Sequence, residues 1–447
     1  MTQSPRPSIL VLFMGDIIFF IAALWTTLFL RSFEAPSSAL FTAHLIAFAP
    51  LFAVWALVYL IAGLYEGRRI ILARRTLSMT LLYAQTVNIL IAALFFFFIP
   101  TFGISPKIVL LIYLVVSLAF IVVWRAFLFP KLHLQKASLA LVLGDSPETA
   151  ELVDALRSAP LSTVEITAVI RPSETSLVSA VRDAVGKKDP RFIIADFDDP
   201  RVAAVIPELH HVHAGRIRFI GVRELYEDVF GRVPLLSIND QWVARMISRP
   251  LTMFYDPVKR AMDIILAFIL GTISIVLYPF IMLAIKSDDG GSIFISQDRV
   301  GQNGKMIHLY KFRSMQRNDM KLATAAGTNR VTRVGSFLRA SRIDELPQLW
   351  NILRGDLSLI GPRPELPSGV ALYEAEIPYY GVRHAIKPGL SGWAQLYHDN
   401  HPHHVAAVEA TREKLSYDLY YLEHRSLGLD FIVALKTIAK MLTKSGA

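Results

Sequence analysis

Four long apolar runs near the N-terminus constrain the fold of this chain more than any other feature. They are Ser8–Leu30, Thr42–Tyr65, Leu77–Pro100 and Ile108–Trp124. Each is near the ~20 residues that an α-helix needs to cross a bilayer. The first is longer than the ~7–15 apolar residues of a signal-peptide core. The sequence therefore predicts a four-helix transmembrane bundle over residues 1–130, surrounded by the lipid bilayer.

Basic residues predict the orientation of this bundle. The loop between the second and third runs reads EGRRIILARR, whereas the loops after the first and third runs carry Arg31 and Lys107 near their membrane ends. Because loops rich in arginine and lysine stay in the cytoplasm, we expect the N-terminus and everything after the fourth run to be cytoplasmic. Asp16 lies inside the first run, and a carboxylate there is either functional or paired across the bundle.

Composition narrows the classes of protein that fit. Hydrophobic residues make up 53% of the 447 residues, above the ~45–50% of soluble proteins. The net charge is +9. On a membrane protein such charge faces anionic headgroups or phosphate ligands, so we predict no nucleic-acid partner. The chain has no cysteine, which excludes disulfides, thiolate nucleophiles and cysteine-ligated zinc.

Residues 136–245 change character and predict a Rossmann-like parallel α/β domain. The apolar run SLALVLGD precedes a helix start at Ser146-Pro147, and further apolar strands at Val164–Ile170, Phe192–Asp196 and Arg218–Gly221 alternate with helical stretches. This alternation is typical of a parallel sheet. The first turn, GDSPET, lacks the GxGxxG fingerprint, so dinucleotide binding is unsupported. A structural or regulatory module and a small-ligand site both remain open.

A fifth apolar run, Ala261–Ile285, follows Lys259 and Arg260 and contains Pro279. Its length suits a plain span, which would put the rest of the chain on the other side of the membrane. The proline favours a helix that enters the bilayer and returns to the same face over about residues 258–286. Such a break is tolerated where the freed backbone groups find partners. The residues alone leave both alternatives open.

The stretch Thr332–Glu365 carries the chemistry. It holds adjacent carboxylates, Asp344 and Glu345, four arginines at 333, 339, 342 and 354, and Arg363 between two prolines. Carboxylates beside rigid cations indicate phosphate chemistry, although a solvated charged helix has a similar pattern. We expect a helix to begin at Asp344 or Glu345, with Asp344 as its N-cap, where anions are favoured. Adjacent residues do not share a helix face, so the two carboxylates should have different roles.

Four motifs in this half of the chain resemble the bacterial sugar transferase family, the monotopic phosphoglycosyl transferases. They are QDRVGQNGKMIHLYKFRSM, RASRIDELPQLWNILRGDLSLIGPRPE, RHAIKPGLSGWAQ and KLSYDLYYLEHRSLGLDFIVALKT. The resemblance covers residues 253–447 and implies an α+β catalytic domain with Pro279 as the break of a re-entrant membrane helix. The preceding bundle and α/β module are similar to those of the larger, undecaprenyl-phosphate glucose- or galactose-phosphate transferases.

The resemblance implies a reaction in the bacterial inner membrane. A UDP-hexose donates hexose-1-phosphate to polyprenyl phosphate and releases UMP, as the first membrane step of exopolysaccharide, capsule or O-antigen synthesis. Asp344 is implied as the nucleophile that forms a covalent phosphosugar intermediate, which splits one transfer into two. Glu345 is implied as a supporting group, and both carboxylates are candidate ligands of Mg²⁺. The larger members also lead us to expect a homodimer.

Motif position implies further site residues. Phosphate or substrate contacts are expected from Arg342, Arg363, Lys311, Arg313, Arg383, Lys387, Asp418 and Asp430. Lys259 and Arg260 are expected near lipid headgroups at the start of the membrane helix. The histidines of YHDNHPHH, at 398, 401, 403 and 404, either bind a metal or lie in an exposed loop.

Two other classes of protein share parts of this pattern. A membrane-anchored nucleotide-sugar epimerase or dehydratase has a similar outline of four spans and an α/β domain, but it would need the glycine-rich fingerprint that is lacking here. A non-enzymatic assembly regulator would tolerate loss of the Asp344–Glu345 pair, which this chain keeps. The sequence does not identify the hexose or the pathway.

Overall fold

The computed structural model describes residues 6–62, 64–65, 74–98, 107–129, 138–158, 164–172, 177–212, 217–248, 255–315, 331–397 and 408–442. The chain divides into two compact units, Met1–Pro234 and Leu235–Ala447. The first unit holds both the apolar helices and the α/β sheet. The second holds the bent apolar helix pair and the carboxylate motif. The finer domain boundaries of 1–130, 136–245 and 253–447 stay predictions.

Helices occupy the four N-terminal apolar runs: α1 (Arg6–Ser32), α2 (Ser38–Ile61), α3 (Arg74–Phe98) and α4 (Lys107–Val123). Within the described residues, α1 and α2 have the length and hydropathy needed to cross a membrane. The apolar parts of α3 and α4, Ala84–Phe98 and Val109–Val123, are shorter than a usual span. A membrane anchor is thus supported, while the four-span bundle and its orientation stay predictions.

The intramembrane carboxylate Asp16 is paired across these helices. Its Oδ1 accepts a hydrogen bond from Arg125 Nε at 2.9 Å and its Oδ2 accepts one from Arg125 Nη2 at 2.5 Å. The Tyr65 hydroxyl also donates to Oδ2 at 2.7 Å. Both charged side chains are buried, and breaking such a pair is costly because it leaves one buried charge uncompensated. Of the two hypotheses for Asp16, pairing is the one that the structure supports.

A four-stranded parallel sheet follows, as the sequence predicted. Its strands β1 (Ser138–Leu143), β2 (Val164–Ile170), β3 (Phe192–Ala195) and β4 (Arg218–Gly221) lie in the order β2-β1-β3-β4. Helices α5 (Pro147–Ser158), α6 (Leu177–Lys188), α7 (Pro200–Val212) and α8 (Val222–Phe230) follow the strands. Apolar side chains of the sheet are buried in two clusters, because a parallel sheet is covered on both faces.

In the second unit, α9 (Asp240–Ser248) precedes two apolar helices, α10 (Tyr255–Ile275) and α11 (Tyr278–Asp289). These two meet at a 58° bend and together have the hydropathy of either a broken span or a re-entrant loop. Pro279 lies in the first turn of α11. Proline is tolerated there but disfavours helical geometry just before it, so the break falls upstream at residues 276–277. The re-entrant topology itself stays a prediction.

The rest of this unit packs short elements around the carboxylate motif. A β-hairpin is present, with β5 (Phe294–Val300) antiparallel to β6 (Met306–Phe312). Strands β7 (Ser358–Ile360) and β8 (Gly389–Ser391) form a second, parallel pair. The helices are α12 (Arg333–Ala340), α13 (Gln348–Arg354), α14 (Pro367–Glu376), α15 (Trp393–Tyr397), α16 (Val408–His424) and α17 (Leu427–Leu442). Gly335 allows α12 to approach the segment that follows β6, since a Cβ there would lie 2.0 Å from the Ser314 carbonyl oxygen.

The helix that we expected to begin at Asp344 or Glu345 begins at Gln348 instead. Arg342 adopts a left-handed conformation with φ 55°, which ends the helical path of α12. Ile343–Glu345 then form one 3₁₀ turn, and Pro347 stands at the N-cap of α13. The prediction of Asp344 as a helix N-cap is therefore wrong, because two local backbone preferences delay the helix by three residues.

Candidate active site

The 3₁₀ turn places two adjacent carboxylates in the interior of the second unit. Asp344 is 8% exposed, and the Glu345 side chain is 11% exposed. A left-handed non-glycine residue such as Arg342 costs of order 1–3 kcal/mol and persists only where the surroundings fix it. Here Ile343 and Leu346 are packed against buried apolar clusters on either side of Asp344. The turn therefore holds both carboxylates in a fixed orientation.

Glu345 is bound by two of the predicted cations. Its Oε1 lies 3.2 Å from Arg363 Nη2 and 3.6 Å from Lys311 Nζ. Burial alone would raise the pKa of Glu345, but Arg363, Lys311 and Arg342 outweigh burial and bring the pKa below its usual value. Glu345 is thus ionised at neutral pH, and it fixes the positions of two cations beside Asp344.

Asp344 stands in different electrostatic surroundings. Burial, with the neighbouring charge of Glu345, raises the pKa of Asp344 to about 6, while Lys311, Arg339 and Arg363 oppose the rise. At pH 7 the group is still mostly ionised, but its charge is less stabilised than that of Glu345. A carboxylate of this kind is a better nucleophile or proton acceptor than one locked in ion pairs. The expected difference between the two carboxylates is therefore present in their environments.

A buried ion pair, Arg383–Asp418, contacts the backbone of Arg363. Arg383 binds Asp418 Oδ2 through Nη2 at 2.7 Å and Nε at 3.0 Å. The same Nη2 donates to the Arg363 carbonyl oxygen at 3.0 Å. Both side chains are 2% exposed. The structure thus places Arg383 and Asp418 where they position Arg363, and this geometry favours a supporting role over direct contact with a substrate.

The two cations predicted from the motif YKFRSM have different surroundings. Lys311 reaches Glu345, as described, and its own pKa is lowered mainly by burial. Arg313 is 4% exposed and packs against Gly291, where a Cβ would lie 1.7 Å from Arg313 Nη1. The structure therefore brings Lys311 to the carboxylates and packs Arg313 against a glycine of the preceding loop.

Four more predicted residues join α10 to the rest of the unit. Arg260 donates to the carbonyl oxygens of Ile352 at 2.6 Å and Leu353 at 2.9 Å, at the end of α13. Burial and the charge of Arg260 lower the pKa of Lys387. Lys259 Nζ lies 2.9 Å from Asp430 Oδ2. Arg260 and Lys259 thus fix α10 to α13 and to Asp430 of α17.

Three charged residues near the site were missed as site residues by sequence reasoning. Arg339 lowers the pKa of Asp344 and donates to Ser314 Oγ at 3.1 Å. The available signal was its place in the same arginine-rich stretch, five residues before Asp344. Glu365 and Lys414 form a partly buried ion pair, and the backbone N–H of Val300 donates to the Glu365 carbonyl oxygen at 3.0 Å. No local pattern links Glu365 to Lys414, 49 residues away. The histidines at 398, 401, 403 and 404 lie outside the described residues.

The chain is similar to a known family and to several known proteins. The family described as bacterial sugar transferase matches residues 254–444. A UDP-N-acetylgalactosamine-undecaprenyl-phosphate N-acetylgalactosaminephosphotransferase of Aeromonas hydrophila is 40% identical over 233 residues, 51% of this chain and 52% of that protein. A UDP-glucose:undecaprenyl-phosphate glucose-1-phosphate transferase of Escherichia coli (strain K12) is 35% identical over 217 residues, 48% of this chain and 46% of that protein. The exopolysaccharide production protein PSS of Rhizobium leguminosarum bv. phaseoli is 37% identical over 196 residues, 42% of this chain and 96% of that protein.

These matches are to sugar transferases, and the region that the family matches contains the Asp344–Glu345 pair of this chain. The chain belongs to the bacterial sugar transferase family. It spans about half the length of the Aeromonas and Escherichia relatives and nearly all of the Rhizobium one. The family resemblance that the four motifs indicated is thereby confirmed.

Proposed function

We propose that this protein transfers hexose-1-phosphate from a UDP-hexose to a polyprenyl phosphate, releases UMP and forms polyprenyl-diphosphate-hexose. The observation that carries the proposal is the pair Asp344 and Glu345, adjacent in sequence but held in opposite electrostatic environments beside Arg363 and Lys311. The names of the Aeromonas and Escherichia relatives support both substrate classes. The residues of the pair lie inside the region that the family matches.

The chemistry is a double displacement at the β-phosphorus of the donor. A carboxylate oxygen of Asp344 forms a bond to that phosphorus, while the bond from phosphorus to the bridging oxygen breaks and UMP leaves with the electron pair. An oxygen of polyprenyl phosphate then attacks the same phosphorus and displaces Asp344, which regenerates the free carboxylate. Splitting the transfer in this way avoids direct attack of one phosphate anion on a bound diphosphate.

The cations around the pair have a defined task in this proposal. Arg363 is rigid because prolines flank it and because Arg383 binds its carbonyl oxygen. Its guanidinium and the Lys311 ammonium face the donor phosphates, where preorganised positive charge stabilises the developing charge on UMP. Arg342 and Arg339 add charge on the side of α12. Glu345 orients Arg363 and Lys311 and does not itself attack.

The donor set fits Mg²⁺. This ion favours one or two carboxylates together with substrate phosphates. Burial, and then the neighbouring charge of Glu345, raises the pKa of Asp344, and a bound cation would stabilise its ionised form. Asp344 and Glu345 would hold the ion with the donor diphosphate. When bound, it would neutralise phosphate charge during transfer.

The placement of the site completes the proposal. The protein is a multi-pass protein of the bacterial inner membrane with both soluble parts on the cytoplasmic side, where nucleotide sugars are found. The bent pair α10–α11 enters the bilayer and returns, and exposed apolar side chains such as Phe268, Ile273, Phe280 and Leu283 would face lipid. Arg260 then links the membrane helix directly to α13, which follows the carboxylate turn.

A transfer assay tests the proposal. Purified protein in lipid nanodiscs receives undecaprenyl phosphate, Mg²⁺ and, separately, UDP-glucose, UDP-galactose or UDP-N-acetylgalactosamine. We expect equimolar UMP and lipid-diphosphate-sugar with at least one donor. If none yields UMP, or if a donor is converted to an isomeric or dehydrated nucleotide sugar instead, the proposed function is wrong.

A further inference from the structure

Arg299 is a further cation on the hairpin that packs beside the carboxylate turn. It lies in β5, opposite Ile307 of β6. Side chains of opposed residues and of every second residue lie on the same face of a sheet, so the face of Arg299 also carries Gln297, Leu309 and Lys311. Ile307 and Leu309 are buried in one cluster with residues of α13. The face that carries Arg299 is therefore the one turned toward the candidate active site.

The end of β5 is held against the segment that contains Arg363. The backbone N–H of Val300 donates to the Glu365 carbonyl oxygen at 3.0 Å, and Arg299 Nη1 donates to the Pro364 carbonyl oxygen at 3.3 Å. These contacts bring the guanidinium of Arg299 to the residue that follows Arg363.

The hydrogen bonds of Arg299 go to neutral oxygens. Besides the Pro364 carbonyl oxygen, the acceptor is Gln297 Oε1, which lies 2.7 Å from Arg299 Nη2. The Nε of Arg299 is buried and has no hydrogen-bond partner among the residues that the structure describes. More than 90% of buried polar groups in proteins are paired. The guanidinium therefore has both a free donor and its positive charge to offer to an anion.

Positive charge is in excess at this place. Arg363 and Lys311 share the carboxylate of Glu345, at 3.2 and 3.6 Å. Burial and the charge of Arg363 lower the pKa of Arg299, while Glu365 and Glu345 oppose this effect. Because partly buried cations repel each other more strongly than cations in water, an anion that accepts hydrogen bonds from both guanidiniums would be favourable here.

We propose that Arg299 binds the α-phosphate of the donor, which is the phosphate that leaves as part of UMP. Asp344 is not among the charged groups that influence the pKa of Arg299, whereas Glu345 is. Arg299 therefore fits the phosphate that is one bridging oxygen farther from the nucleophile than the β-phosphate. There its charge stabilises the negative charge that develops on UMP as the bond to the bridging oxygen breaks. This assignment rests on the proposed function, because it assumes a uridine diphosphate donor.

UMP and uridine differ by this phosphate alone, so their binding tests the assignment. Their dissociation constants are measured by equilibrium dialysis with full-length wild type, Arg299→Met and the control Arg245→Met, all in nanodiscs. Arg245 is exposed and donates to the Gln241 carbonyl oxygen of its own helix. We expect Arg299→Met to bind UMP about tenfold more weakly, as for loss of a hydrogen bond to a charged group, and to bind uridine as the wild type does. The control should bind both ligands normally.

An equal loss of UMP and uridine binding in Arg299→Met would show a structural role and overturn the assignment, and so would unchanged binding of UMP. If Arg299→Met does not fold, Arg299→Lys decides: it keeps the charge but loses Nε, so its preference for UMP over uridine should fall by a smaller factor. An unchanged preference in Arg299→Lys would then overturn the assignment.

Two further measurements separate the alternatives. The kcat/KM for undecaprenyl phosphate reports the second displacement alone and should not change in Arg299→Met. A fall in this value with an unchanged preference for UMP over uridine would place Arg299 at the acceptor phosphate and contradict the assignment. A wild type that neither binds UMP nor turns over any UDP-sugar would overturn the proposed function itself, whereas normal wild-type turnover with unaltered UMP binding in Arg299→Met would overturn the assignment only.

Discussion

At the scale of single residues, partners decide what each charged group can do. Asp344 and Glu345 are chemically similar, yet Glu345 is locked by Arg363 and Lys311 whereas Asp344 keeps a raised pKa through burial. The pairing could not be read from the sequence, because Lys311 lies 34 residues before Glu345 and Arg363 lies 18 residues after it. The motif did predict that all four belong together. It could not predict that Arg383 and Asp418 would face each other behind Arg363.

The Glu365–Lys414 pair gives a prediction about stability and pH. Burial alone would raise the pKa of Glu365, but Lys414 and Arg383 lower it to about 2, from an ordinary value of 4.5. A depressed pKa in the folded state contributes stability above the unfolded pKa, and this stability is lost as pH falls toward the folded pKa. We therefore expect Glu365→Gln to lower the free energy of unfolding by about 3 kcal/mol at pH 7, with the difference shrinking between pH 5 and 2.

Thermal or denaturant unfolding of the purified protein in detergent measures this effect. The exposed pair Arg412–Glu409 provides the control, because Glu409 is 88% exposed and such pairs contribute ~0–1 kcal/mol. Glu409→Gln should be nearly neutral at every pH. The double variant Glu365→Gln/Lys414→Met should recover part of the loss, since it leaves no unpaired buried charge. A pH-independent deficit in Glu365→Gln would contradict this account of the pair.

At the scale of elements, local backbone chemistry explains where the sequence prediction succeeded and where it failed. The hairpin around Gly301–Gly304 and the strands of the parallel sheet were predictable, because alternation and glycine turns act locally. The start of α13 was not, since the left-handed Arg342 and the N-cap Pro347 override the pattern of charges. Proline also determines the break between α10 and α11. Pro279 is accepted in the first turn of α11, so the break lies upstream of it.

The bent pair α10–α11 gives a topological prediction. The chain has no cysteine, so a thiol reagent labels only a cysteine that is introduced by substitution. Gln241→Cys precedes the pair and Asp298→Cys follows it, and both positions are exposed. A re-entrant pair places both cysteines on one face of the membrane, so a membrane-impermeant maleimide should label both in inside-out vesicles and neither in right-side-out vesicles. Val276→Cys, at the bend, should resist the reagent in both preparations. Labelling of Gln241→Cys and Asp298→Cys from opposite faces would establish a plain span.

At the scale of the whole molecule, the candidate active site lies in one of two compact units. The second unit, Leu235–Ala447, contains both carboxylates and the contacts described for them. The family matches residues 254–444 of it, and the Rhizobium relative aligns over 96% of its length with 196 residues of this chain. The four-span prediction and the parallel sheet concern the first unit, to which the family match does not extend.

A truncation tests this division. We expect residues 235–447, expressed with their own membrane helix pair and reconstituted in nanodiscs, to release UMP from the donor with a kcat within about tenfold of the full chain. The physical reason is that the unit has its own apolar core and its own charged site. Wild-type full-length protein and the same fragment carrying Asp344→Asn are the two controls. Complete loss of turnover in a folded fragment would show that the first unit contributes to the chemistry.

The proposed covalent bond between Asp344 and the donor phosphorus can be measured directly, as transfer of labelled sugar phosphate to the protein. Purified protein is mixed with sugar-labelled UDP-glucose or UDP-N-acetylgalactosamine and no lipid acceptor. We expect protein-bound phosphosugar and an equal amount of UMP in the wild type and in Asp298→Asn, a variant of an exposed hairpin carboxylate paired with His308. Asp344→Asn should abolish both products. Normal label transfer to Asp344→Asn would show that Asp344 is not the nucleophile.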